Sequence, residues 1–208
     1  MKYLIMFILL FFSVESRAQL TRGYKNEGTG VIETGIDAHA EGGGTEALGD
    51  YSHAGGKNSR AGYYGEYARA SGCFSRTGDA QYSNLLLFNV TYDDTETELF
   101  LDGSSLRIVV PPGSALGFRI MITALSGDNS QAAYYVITGL AKTGSGPQDI
   151  SFTGIPSINT IAESDESWDA FVRIDTANGA LVISVKGGPG TSVRWTAFFE
   201  MVQIRVQI

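Results

Sequence analysis

Ala38-His39-Ala40-Glu41-Gly42, Thr45-Glu46-Ala47-Leu48-Gly49, Ser52-His53-Ala54-Gly55, Ser59-Arg60-Ala61-Gly62, Ala68-Arg69-Ala70-Ser71-Gly72 and Ser75-Arg76-Thr77-Gly78 follow one another along the chain. Their starts advance by 7, 7, 7, 9 and 7 residues. A short fixed period is the sequence signature of a solenoid. In each unit the first and third residues are small, and in a strand they point the same way. The residue between them points outward and is His39, Glu46, His53, Arg60, Arg69 or Arg76. Small-in and polar-out alternation suits a coil too narrow for large side chains. Glycine after each pair permits a sharp turn without a Cβ clash. Two seven-residue halves therefore predict a 14-residue coil with two short strands, and a two-residue insertion near Tyr63-Tyr64-Gly65. Stacking of alternate units would place His39, His53 and Arg69 on one ladder, and Glu46, Arg60 and Arg76 on the other.

Two other readings of the stretch fail on its pattern. A flexible small-residue linker has no need of strict phase or alternation. A calcium-binding roll needs G-G-x-G-x-D-x-U-x. Gly43-Gly44-Thr45-Glu46-Ala47-Leu48 puts Glu and Leu where that motif needs Gly and Asp.

Composition changes on both sides of the repeat. Residues 1–18 read as a signal peptide or short N-terminal anchor: Lys2, then the apolar run Tyr3–Val14, then Ser16-Arg17-Ala18. That run is short for a membrane span, so no stable span is expected in the mature chain. Residues 19–37 read as an extended lead-in, 38–82 as the β-roll stalk and 83–208 as a C-terminal knob. The knob is rich in bulky β-formers. Phe118, Ile120, Ile122 and Ala124 share one face at period two, as do Trp168, Ala170, Val172 and Ile174. Asn178-Gly179 supplies a tight hairpin turn. The expected fold class is all-β: a short parallel β-roll followed by an antiparallel β-sandwich or jelly-roll-like domain.

The small-residue units resemble the head of trimeric autotransporter adhesins, a left-handed parallel β-roll of S-x-A-x-G-type repeats. The resemblance covers about 40 of 208 residues. It departs from that family at Ser52–Gly55 and Ser59–Gly62, which lack a residue before their Gly. Gly78-Asp79-Ala80-Gln81, Thr97–Gly103, Trp168–Val172, Asn178–Leu181 and Val193–Ala197 form a C-terminal pattern that looks like the distal part of bacteriophage tail-fibre and spike proteins. The two resemblances imply a homotrimer whose tip binds a cell-surface glycan or protein, placed outside the cell, on the cell surface or on a virion.

Chemistry-bearing constellations are sparse. The chain has two His and one Cys, so neither a Cys-rich zinc site nor an intrachain disulfide is available. Cys73 reads as a packing or surface residue. A formal net charge of −7 argues against nucleic acid as a partner. Asp93, Asp94, Glu96 and Glu98 form one acidic cluster and Asp165, Glu166 and Asp169 another. Such clusters are raw material for calcium binding or glycoside hydrolysis, yet they read as solvated loops. No catalytic residue, metal ligand or cofactor is therefore expected. Recognition falls to tyrosines and arginines, since tyrosine pairs an apolar ring with a polar end. The candidates are Tyr63, Tyr64, Tyr67, Tyr134 and Tyr135, with Arg60, Arg69 and Arg76 as a basic strip for anionic glycans. The expected function is non-enzymatic attachment. A purely structural surface element is the alternative, and a glycan hydrolase using Asp165 and Asp169 a third reading.

Overall fold

A computed structural model describes residues 27–206. The expected signal peptide at 1–18 lies outside the described residues, as does the first part of the lead-in. Seven strands build the solenoid: β1 (Glu27–Thr29), β2 (Ile32–Glu33), β3 (His39–Gly43), β4 (Glu46–Ala47), β5 (His53–Lys57), β6 (Arg60–Ala61) and β7 (Tyr67–Ser71). Odd strands stack in parallel on one face, in the order β1-β3-β5-β7, and β2-β4-β6 stack on the other. His39 pairs with His53, His53 with Tyr67, and Glu46 with Arg60, so each coil takes 14 residues. The solenoid makes about three turns. Its first coil uses Glu27 to Glu33, so the coil geometry begins before the repeat becomes visible in sequence.

The register corrects the expected insertion. The 14-residue step from His53 to Tyr67 is unbroken. Tyr67 joins the histidine ladder, and Arg69 pairs instead with Gly55. Arg76 lies beyond the last solenoid strand, in the turn that follows β7. The apparent slip arises because Glu66, a large residue, occupies the interior position held by Ser52 and Ala38 one and two coils earlier. Its carbonyl accepts from the His53 amide just as that of Ser52 accepts from His39.

The interior explains the composition. Ala38, Ala40, Ala47, Ala54, Ala61 and Ala68 form one small buried cluster, flanked by buried Thr45, Ser52 and Ser59. Coils approach so closely that side chains are excluded at some positions. A Cβ on Gly42 would lie 1.9 Å from the Gly56 carbonyl oxygen, and one on Gly49 would lie 2.0 Å from that of Tyr63. The equivalent positions in the last coil are Ala70 and Tyr63, where no further coil stacks on top. At these two positions glycine is kept only where another coil follows.

The remaining strands are β8 (Ala80–Thr91), β9 (Thr97–Glu98), β10 (Ile108–Val109), β11 (Ser114–Ser126), β12 (Ala132–Lys142), β13 (Ser151–Phe152), β14 (Ser157–Glu163), β15 (Asp169–Asp175), β16 (Ala180–Lys186) and β17 (Val193–Arg205). The solenoid sheet does not end at β7. Strand β8 pairs antiparallel with β7, and the sheet continues β8-β17-β11-β12, with β13 and β14 on its far edge. A second sheet, β10-β16-β15 with β9 beside β16, packs across it. One apolar cluster drawn from both sheets fills the space between them, with Trp168, Trp195, Tyr135 and Phe199 its largest members. The Trp168 and Trp195 rings lie 5.6 Å apart and those of Phe118 and Phe199 5.7 Å apart. Trp195 Nε1 donates to Thr91 Oγ1 at 3.0 Å, so the indole is buried with its polar atom satisfied.

Candidate functional site

Two surfaces gather the residues singled out in the sequence, and they lie on opposite faces of the long sheet. Period-two alternation decides which residue goes where.

The outer face carries apolar rows that run straight across four strands. Leu86, Phe198, Met121 and Val136 form one row, and Tyr82, Val202, Gly117 and Leu140 another. Between them runs the polar row Asn84, Glu200, Arg119 and Thr138. Arg119 Nε lies 2.5 Å from Glu200 Oε1, so that row neutralises itself. Leu86, Val202 and Ile204 stand 56%, 61% and 50% exposed, large values for strand residues of this kind. Beside this face, a groove of about 720 Å³ runs between the β8–β17 pair and the Cys73-Phe74 segment. Tyr67 and Arg69 lie at the solenoid end of the same face, paired in register with Asn84 and Tyr82. Tyr67 stacks on His53 at 4.5 Å, and the His53 ring lies tilted against that of His39 at 4.9 Å. Half-buried Tyr134 lies farther along, opposite Thr123.

The inner face changes character where the solenoid meets the long sheet. Apolar residues give way to Gln81, Ser83 and Gln203, all buried. Gln81 finishes the solenoid: its Oε1 accepts from the Arg60 amide and its Nε2 donates to the Arg60 carbonyl, both at 2.9 Å. A side-chain amide thereby stands in for the missing next strand and blunts the open edge of β6. Glu66 closes the interior below it. Its Oε2 accepts from the Gly62 and Tyr63 amides at 2.7 and 3.0 Å. Burial pushes its carboxyl above the usual range against the pull of those bonds. Asp79 ties the turn after β7 by accepting from the amides of Phe74, Ser75 and Arg76. Burial works against those bonds, but they prevail and hold Asp79 down at about 2.

At this junction lies a cavity of about 180 Å³, walled in part by Arg60, Tyr63, Glu66, Gln203 and Arg205. Tyr63 donates its hydroxyl to the Val109 carbonyl at 2.7 Å, and burial drives its pKa up. Arg60 lies 3.5 Å from Glu46.

Of the candidates, then, Arg60 and Tyr63 meet in the cavity, while Tyr67, Arg69 and Tyr134 share the outer face. Tyr64 packs edge-on against Tyr51 at 5.3 Å. Tyr135 is buried in the core, 1% exposed, and donates to Glu163 at 2.8 Å. It is a packing residue rather than a surface one, because its strand phase turns it inward. Arg205 was not singled out in the sequence. Its signal was the placing of Gln203 and Arg205 at the inward phase of an otherwise apolar strand, where Gln203 lies opposite Gln81 and the Arg205 amide donates to the Asp79 carbonyl.

The acidic clusters are engaged by ordinary partners. Glu98 binds Arg107, Glu96 binds Arg173, and Asp165 accepts from Ser167 and Gln131. Among the described residues no group of three His, Cys, Asp or Glu side chains is placed to hold a metal ion. No helix among them is long and apolar enough to cross a membrane.

No family model matches the chain, and no curated protein matches it. Solved structures similar to it include the tailspike of Acinetobacter baumannii bacteriophage Fri1, a capsular polysaccharide depolymerase, at 11% identity and TM-score 0.37 over 83% of this chain. The tailspike of Acinetobacter baumannii phage AM24 is similar at 9% identity and TM-score 0.29 over 81% of this chain. That of Acinetobacter phage vB_ApiP_P1 is similar at 11% identity and TM-score 0.25 over 85%. The chain spans 33%, 37% and 41% of those three structures, respectively.

Proposed function

We propose that the chain is a non-enzymatic, homotrimeric attachment protein of the fibre or spike type, exposed on a virion or a cell surface. Its β-roll would hold a C-terminal sandwich-like knob toward a surface glycan or protein. The observation that carries the reading is the outer face of the long sheet. Four strands of about twelve residues present roughly 800 Å² of flat surface. That is the share each partner contributes to a standard interface. Two apolar rows, parted by the polar one, make up part of that area, and exposed apolar rows rimmed by polar residues mark interaction surfaces. The central ion pair is already satisfied within the chain, so the face asks for an apolar partner and offers itself as one. Three copies packed on this face would also support a solenoid too thin to store much apolar burial. Linked copies turn weak individual contacts into avid attachment.

The non-enzymatic part rests on the carboxylates. A glycosidase needs an acid of raised pKa in a cleft with a second carboxylate beside it. Hydrogen bonds from Ser167 hold Asp165 below its usual value. Glu66, raised by burial in the junction cavity, has no second carboxylate in that wall among the described residues. Light scattering of the native chain is expected to give three times the monomer mass, and Leu86→Lys or Val202→Lys to give the monomer. A native monomer would sink the trimer. Release of reducing sugar from a bound polysaccharide, lost in Asp169→Ala, would sink the non-enzymatic reading.

A further inference from the structure

The junction cavity concentrates positive charge in an acidic protein. Arg60 and Arg205 wall it, and Arg76 is close enough that its charge and that of Arg60 weigh on Arg205. Burial, then those two like charges, lower the Arg205 pKa. Of the carboxylates nearby, Glu46 and Asp79 are occupied and Glu66 only in part. Its Oε1 is buried without a hydrogen-bond partner among the described residues, and burial favours its protonated, uncharged form. Glu46 sits with Arg60. Glu66 Oε2 is held by two backbone amides, and the Asp79 carboxylate by the amides of its own turn. Among the described residues neither Arg76 nor Arg205 has a carboxylate partner. Arg205 Nε donates to the Pro112 carbonyl at 3.2 Å, which anchors the side chain and leaves its terminal donors free of protein partners. A half-buried guanidinium with unused donors beside two like charges is a costly arrangement unless an anion completes it. The chain carries 22 acidic and 15 basic residues, so this clustering is against its general balance.

We propose that this cavity binds the carboxylate of an acidic sugar, with Arg205 as the fork that grips it and Arg60 and Arg76 as flanking charges. Planar guanidinium donors match a carboxylate in bidentate fashion. The Tyr63 ring, packed at the cavity wall, gives the sugar body an apolar surface. The volume admits one charged sugar group and its nearest ring atoms, not a whole chain, so the site selects one residue of a longer glycan. It stays open in the assembly proposed above. Gln81, Gln203 and Arg205 alternate with Tyr82, Val202 and Ile204 along β8 and β17, so the cavity faces away from the apolar rows. The inference rests on the glycan-attachment reading for its biological ligand, though binding of the simple sugar does not.

The full chain would be titrated with glucuronate, glucose and inorganic sulfate by isothermal calorimetry or ligand-observed NMR, and with glucuronate-containing oligosaccharides. Glucuronate is expected to bind, to weaken as salt rises, and to lose at least tenfold in Arg205→Gln. Arg205→Lys keeps charge without the fork and should fall between. Arg173→Gln, on the second sheet and away from both the cavity and the outer face, should bind like the native protein, and circular dichroism should show each variant folded. Equal binding of glucuronate and glucose overturns the proposal, as does sulfate binding without glucuronate binding, or full binding by folded Arg205→Gln. Glucuronate binding that Arg205→Gln abolishes, with no oligosaccharide bound, keeps the site and sinks glycan attachment. Oligosaccharides bound equally by native protein and Arg205→Gln keep attachment and sink the site.

Discussion

The solenoid and the C-terminal sheets share one continuous hydrogen-bonded ladder, yet they are built on opposite principles. The solenoid interior is alanine, and its coils touch backbone to backbone. The C-terminal interior is tryptophan, phenylalanine, tyrosine and branched aliphatics from two sheets. Burial scales with apolar area, so an alanine contributes about one methyl group where a Leu or Phe contributes about 1.5–3 kcal/mol. The first region is therefore held by repeated short-range pairing and by its docking onto the second. The second has a core able to stand by itself. A rod whose stability is borrowed suits a spacer, while a domain with its own core suits presentation of a binding surface.

The comparison breaks most visibly at the large side chains. Trp195→Ala is expected to cost about 3–5 kcal/mol in chemical denaturation, because it opens a cavity and orphans the Thr91 hydroxyl. A loss under 1 kcal/mol would mean the aromatic core is not what holds the region. The solenoid should respond to backbone crowding instead. Gly42 has φ +102°, and a Cβ there would strike the Gly56 carbonyl, while Gly43 next to it faces open space. Gly42→Ala should therefore cost about 1–3 kcal/mol, and Gly43→Ala should stay within about 0.5 kcal/mol of the native chain. Equal losses at the two positions would remove the close-packing account of the repeat.

The same contrast explains what was legible in the sequence. A solenoid writes its period directly into the chain, since each residue meets its own equivalent 14 positions on. The small-in, polar-out alternation followed from that. What misled was the final coil, where Tyr63, Glu66 and Ala70 replace the small residues and glycines. Those positions face a cap rather than another coil, so the repeat rule no longer binds them. The C-terminal strands showed their alternation but not their partners. Pairing of β8 with β17 joins residues more than a hundred positions apart, and no local pattern encodes that. For the same reason the arginine cavity stayed hidden: Arg60 and Arg205 meet only because β17 returns to the solenoid end. The tyrosine candidates were chosen by composition, and only strand phase separates buried Tyr135 from half-buried Tyr134.

Glu66 stands at the border of the two regions and gives a pH test of it. Its carboxyl titrates in the unfolded chain near 4.5 and higher in the folded one. Below both values the group is protonated in either state and has no effect on the balance. As pH rises through the unfolded value, the unfolded chain loses the proton first and is favoured. Stability is then lost until pH passes the folded value. Glu66→Gln removes this titration and keeps an acceptor for the Gly62 and Tyr63 amides. The native chain should therefore lose Tm relative to Glu66→Gln as pH rises above about 4.5, by thermal unfolding. Parallel curves would show that Glu66 is not buried in a dry cap.

The smallest effect belongs to the surface of the C-terminal region. Arg173 pairs with Glu96, which also accepts from the Ser184 hydroxyl at 2.5 Å, and its guanidinium lies 4.9 Å from the Phe171 ring centroid. The contacts are many, but the Arg173 side chain is 50% exposed. Water screens the pair, and ordering two long side chains offsets what remains. Arg173→Ala should therefore cost less than about 1 kcal/mol and lose most of that difference in high salt. Trp195 and Arg173 belong to the same region, so the gap between their variants isolates burial from pairing. A cost for Arg173→Ala approaching that of Trp195→Ala would place the stability of the C-terminal region in its charged surface rather than its core. The solenoid, which has the surface but not the core, would then have no reason to depend on it.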